Sequence, residues 1–119
     1  MNTLKEAPSP AVINLSVPTT KIMAVGRITE LGMPEKDRLR VLLHEVPATV
    51  QLYLDGKIDL WYNITNEPGV VFFMNVSTME EASEILESLP FAKAGMMVFE
   101  LTPVGPLSPL RILLEHYTI

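Results

Sequence analysis

The chain has 119 residues and a mass of 13.3 kDa, one domain on size, and long enough to bury a core without a metal or disulfide staple. It has no cysteine and two histidines, His44 and His116, which excludes disulfides, thiolate nucleophiles and cysteine-held metals and argues against a histidine-rich metal centre. The net charge is −5, and the whole excess lies after residue 66, where Lys93 and Arg111 stand against seven acids. Such a surface predicts no nucleic-acid partner and no anionic membrane partner.

No apolar stretch approaches the roughly 20 residues of a membrane span. The first residues carry one lysine closely followed by Glu6, with Pro8, Pro10 and Pro18 breaking any apolar run, unlike a signal peptide, so a cytoplasmic location is expected. Residues 1–20 read as an N-terminal arm. The first strand follows at 21–29, with Ile22, Ala24 and Ile28 on one side. From Pro34, residues Leu39, Leu42, Leu43, Val46, Val50, Tyr53 and Leu54 recur as a single helical stripe. Pro34 suits the start, Glu35 and Asp37 the first turn, and Gly56 the stop. Pro47 predicts a kink or a break, giving pieces at 35–45 and 47–54.

Residues 57–64 alternate, with Ile58, Leu60, Tyr62 and Ile64 on one face and Lys57, Asp59, Trp61 and Asn63 on the other. Asn66-Glu67-Pro68-Gly69 predicts a type II turn into a strand at 70–76, making a hairpin. Ser77 with Glu80, or Thr78 with Glu81, forms a capping box for a helix that Pro90 ends near Leu89. A fourth strand at 96–102 precedes Pro103, Pro106 and Pro109, and residues 107–119 form a tail that can be helical and dock on a partner. The order predicts an α+β, ferredoxin-like βαββαβ sandwich over 21–106, with an antiparallel sheet and both helices on one face.

Two helices cover one face only, yet strand 70–76 carries large apolar groups on both. Val71 and Phe73 oppose Val70, Phe72, Met74 and Val76, and Met23, Val25, Trp61, Met96 and Val98 extend the uncovered side. That predicts a homodimer, or a higher even-numbered assembly, packed sheet to sheet. The alternative is that arm and tail fold back over the sheet.

Several segments also resemble the muconolactone isomerase-like proteins of the dimeric α+β barrel superfamily. They are Tyr53-Leu54-Asp55-Gly56-Lys57, Gly69-Val70-Val71-Phe72-Phe73, Ser77-Thr78-Met79-Glu80-Glu81-Ala82, Leu89-Pro90, Phe99-Glu100-Leu101 and Gly105-Pro106. The resemblance spans about 21–106 and implies the paired-sheet barrel and often a higher oligomer. Isomerase chemistry is one activity it implies, beside cofactor-free monooxygenases, dehydratases and ligand binders, and no catalytic residue is carried over from it.

Strand parity gathers Arg27, Asp59, Trp61, Asn63, Asn75 and Glu100 beside Phe73 on the presumed barrel face. Glu100 and Asp59 are the candidate acid–base groups, and Arg27 the clamp for a substrate carboxylate. Trp61 and Phe73 are placed to stack on a planar ligand, with Asn63 and Asn75 as polar contacts. Against this, Arg27 and Glu100 can neutralise each other across neighbouring strands, and Asp59 can be solvated. His44 falls on the polar side of its helix, His116 lies in the tail, and Glu80, Glu84 and Glu87 read as a solvated face. The seven methionines read as core filler. With no phosphate loop, nucleophile elbow or zinc spacing, no cofactor and no metal are expected. The expected function is a small-molecule-binding barrel, an isomerase of a small lactone or carboxylate by proton transfer. A non-catalytic ligand-binding or assembly module, or a cofactor-free monooxygenase, are the alternatives.

Overall fold

The structure, a computed structural model, describes residues 16–110 together with Leu113 and Leu114. One compact unit, Thr19–Val104, contains β1 (Lys21–Ile28), α1 (Glu35–Leu54), β2 (Ile58–Asn63), β3 (Gly69–Met74), α2 (Met79–Glu87), α3 (Pro90–Lys93) and β4 (Met97–Val104). A single 3-10 turn, Glu30–Gly32, leads into α1. The strands form one antiparallel sheet in the order β2-β3-β1-β4, the α+β arrangement expected from the sequence. The described residues outside the unit Thr19–Val104, 16–18 and 105–110 with Leu113 and Leu114, belong to a second unit. The expected arm lies almost wholly outside the described residues, as does His116, and of the tail Leu110, Leu113 and Leu114 have helical backbone.

The core lies between sheet and helices. Ile22, Ala24, Ile58, Phe72 and Met74 from the strands meet Ala82, Leu86 and Leu89, with Ala48 and Leu52 of α1 packed against them. A smaller cluster joins Ile28, Phe91 and Met97, with Val41 beside it. α2 starts as a capped helix should: Thr78 is extended (φ −124°, ψ 147°) and its hydroxyl accepts from the Glu81 amide at 3.2 Å. Of the two capping boxes the sequence allowed, the N-cap bond of Thr78/Glu81 is the part seen, and the Glu81 carboxylate pairs with Lys57.

Several expectations at prolines and turns are corrected. Pro47 lies inside one continuous helix rather than between two pieces. Pro47 and Leu43 face solvent, so the missing N–H leaves a carbonyl on the wet side, where it is cheapest. Pro103 sits within β4, which continues to Val104 because β4 is an edge strand and needs no inward donor there. Pro90 not only ends a helix but opens α3, its ring angle suiting a first helical position. Gly69 has no positive φ, so the type II turn does not form, and Gly69 is the first residue of β3, opposite Arg27. A Cβ there would come within 2.5 Å of the Gly26 carbonyl, so close approach of two backbones, not turn geometry, requires glycine.

Two corrections move side chains to other faces. The apolar stripe of α1 is not the buried one: Leu43 is 76% exposed and Leu54 70%, while Leu42, Val46 and Tyr53 lie at its edge towards β2. The inward stripe is Val41, Glu45, Ala48, Thr49 and Leu52, spaced i, i+4, i+7, i+8 and i+11. In β2 the register shifts between Ile58, opposite Met74, and Leu60, opposite Phe73, so Asp59 is an extra, bulged residue. Beyond it the alternation inverts. Trp61 pairs with Phe72 and Asn63 with Val70, both on the helix side, whereas Leu60 and Tyr62 pair with Phe73 and Val71 on the open side.

Candidate functional site

The composition of the inward stripe leaves space. Where a fully apolar helix would put leucines over the sheet, α1 offers Ala48, Thr49 and a carboxylate, and a cavity of about 360 Å³ remains between α1, β2 and β3. Leu42, Glu45, Val46 and Thr49 form its helical wall. Trp61 and Asn63 of β2, with the strand between them at Tyr62, and Val70 and Phe72 of β3 form its floor, with Phe91 and Met97 at one end. The volume is in the range that holds small ligands. The bulge at Asp59 makes this floor aromatic, because it turns Trp61 inward to stack on Tyr53 of α1, with ring centroids 5.5 Å apart at 20°.

Glu45 is the chemically distinctive wall residue. It is only 6% exposed, and its Oε1 accepts from the Phe91 amide at 2.9 Å. Among the described residues that is the one hydrogen bond its carboxylate receives. Burial raises its pKa above the ordinary 4.5, and the Phe91 bond offsets part of that rise. Thr49, one turn on, spends its hydroxyl on the carbonyls of Glu45 and Val46, at 3.1 and 2.9 Å, and so braces the turn that holds the carboxylate. A buried carboxyl whose affinity for a proton is raised, on the wall of an apolar cavity, can exchange a proton with a ligand.

The sequence-predicted residues are divided between two faces. Trp61 and Asn63 line the cavity. Arg27, Phe73 and Glu100 lie on the open side of the sheet. Arg27 binds Glu67 at 3.0 Å and approaches Glu100 at 3.7 Å, all three well exposed, so the cross-strand neutralisation weighed from the sequence is present, with Glu67 as a further partner. Asp59 pairs with Lys21. Asn75 donates its side-chain amide to the Gly56 carbonyl at 3.3 Å and its backbone amide to the Lys57 carbonyl, bracing the α1–β2 turn. His44 is exposed. Sequence reasoning passed over Glu45 because the stronger leucine stripe fixed the wrong face of the helix. The signal present was an acid at helical spacing between Val41, Ala48 and Leu52.

The uncovered sheet face holds Met23, Val25, Val71 and Phe73, half-buried, and Leu60, Tyr62 and Val98, exposed. Among the described residues no helix is long and apolar enough to cross a membrane, and no cluster of three or more His, Asp or Glu is placed to hold a metal.

Compared by sequence, the chain matches no protein-family profile and no curated protein. Among solved structures it is similar to 5-chloro-2-hydroxyhydroquinone dehydrochlorinase (TftG) from Burkholderia phenoliruptrix AC1100, in complex with 2,5-dihydroxybenzoquinone. The TM-score is 0.56 at 17% identity, over 71% of this chain and 93% of that one. The likeness is one of fold, an antiparallel sheet with helices packed on it in an α+β arrangement.

Proposed function

We propose that this chain is a small-molecule-binding α+β barrel protein that moves a proton on a ligand held between α1 and the sheet, with Glu45 as the acid–base group. The observation that carries this is Glu45 itself: a carboxyl buried on a cavity wall, with a single amide donor. Burial raises its proton affinity, the direction that suits a carboxyl to take and return a proton. Trp61 and Phe72 supply flat walls, and Asn63 a polar contact at one side. Isomerisation and elimination both need this set, and the structural likeness to a dehydrochlorinase supports an enzyme of that general kind.

Trp61 is the chain's single tryptophan, so its fluorescence reports the cavity alone. A small aromatic fragment that binds should change that emission in the wild-type chain, and a Trp61→Phe variant should lose the signal while keeping the binding heat. Once a substrate is in hand, Glu45→Gln should lower kcat by about 10²–10⁴-fold, the usual contribution of a general acid or base. Glu100→Gln should leave kcat near wild type. The reverse pattern would return the chemistry to the open face, where Glu100 and Asp59 would move the proton and Arg27 would hold an anion.

The open face supports a second part of the reading, a homodimer packed sheet to sheet. Its apolar side chains have no covering element within the unit Thr19–Val104. A native mass spectrum should give an even-numbered assembly, and a monomer at micromolar concentration would overturn it.

A further inference from the structure

The charges around the cavity are one-sided. Its lining contains one ionisable acid, Glu45, and among the described residues no lysine, arginine or histidine. Nearly all of the described cations are accounted for elsewhere. Lys21 pairs with Asp59, Lys57 with Glu81, Arg40 with Asp37, and Arg27 with Glu67 and Glu100. Arg38 donates to the carbonyls of Gly32 and Met33, both at 2.9 Å, while Lys36, His44 and Lys93 are exposed.

We infer that the cavity takes neutral, ring-shaped ligands that carry a hydroxyl, phenols and enols, and rejects carboxylates. This rests on the reading of the cavity as the ligand site. A carboxylate entering would shed water against the apolar wall and meet no counter-charge in the lining, and it would lie beside Glu45, so that two like charges shared one site or a proton had to be taken up. A phenol loses little on leaving water, stacks on the aromatic floor, and offers its O–H to the edge of the Glu45 carboxylate that Phe91 leaves open. An ammonium ion would gain one charge partner and yet bring three donors into a wall of mainly apolar groups. In the proton-transfer reaction the ligand O–H gives its proton to Glu45, and the same carboxyl returns it to ring carbon, so atoms and charge balance without a further reactant.

The test is a matched set, 4-chlorophenol, 4-chlorobenzoate and 4-chlorobenzylamine, titrated into the full chain by calorimetry at neutral pH. Amide and indole shifts at Phe91 and Trp61 in the NMR spectrum mark the site. The phenol should bind at least about tenfold more tightly than either charged ring, and shift both signals. In Glu45→Gln the gap between phenol and benzoate should narrow, mainly because benzoate binding improves. Benzoate binding as tightly as the phenol at Phe91 and Trp61, and unchanged in Glu45→Gln, would overturn the ligand class and leave the site standing. Tightest binding of the amine would do the same. No binding of any of the three at Phe91 or Trp61 would overturn the site, and the ligand class with it.

Discussion

Glu45 is buried, its carboxylate accepting one hydrogen bond among the described residues, and its position has a pH consequence with a definite sign. Its folded-state pKa is raised, so between the unfolded and folded values the native state holds more protons than the unfolded chain. The stability from this residue is therefore fully present below the unfolded value and lost as pH rises through the folded one. In urea denaturation across that window, wild type should lose stability relative to Glu45→Gln as pH rises. The substituted amide keeps an oxygen for the Phe91 N–H and carries no charge, which isolates the ionisation. Identical pH profiles would contradict the desolvation argument. A second residue-scale consequence lies at Gly69, where a methyl group would press on the Gly26 carbonyl. Gly69→Ala should cost about 1–3 kcal/mol, the usual penalty of overpacking, read from the same denaturation curves.

At the scale of elements, α1 and β2 carry the site, and both departed from their sequence patterns for physical reasons. Hydrophobic periodicity locates α1, but its heavier apolar stripe is not the buried one. Two apolar stripes run along this helix, and the sheet receives the smaller side chains of Val41, Ala48, Thr49 and Leu52. Alternation in β2 was legible on either side of Asp59, while the bulge that joins the halves leaves no periodic trace, so the expected faces of Trp61 and Asn63 were inverted. The strand order was readable because four apolar strands and two helix signatures follow one another with short connections. Pro47 offers an element-scale prediction. Restoring its N–H in Pro47→Ala should return a helical bond to the Leu43 carbonyl and stabilise the chain by about 1–2 kcal/mol, after the unfolded chain's gain in freedom is subtracted. A neutral or destabilising result would mean that the proline is already fully accommodated.

At the scale of the whole molecule, the unit Thr19–Val104 presents two broad apolar surfaces among its described residues, the open sheet face and the outer stripe of α1. The sheet face is the one the proposed dimer buries. A charge at its centre should separate subunits without unfolding them. Val25→Glu, half-buried between Val71 and Glu100 in the ladder, should shift a native mass spectrum towards smaller assemblies while far-UV circular dichroism stays unchanged. An unchanged assembly would place the interface elsewhere.

The central claim is that a carboxyl with raised proton affinity faces the cavity between α1 and the sheet. Its most direct test is a carboxyl-detected NMR titration of the full chain, with Glu45→Gln used to assign the Glu45 signal. The account predicts that Glu45 titrates above the ordinary 4.5 and that its midpoint moves when 4-chlorophenol is added. A Glu45 signal that titrates at or below 4.5, and is unmoved by the phenol, would contradict it.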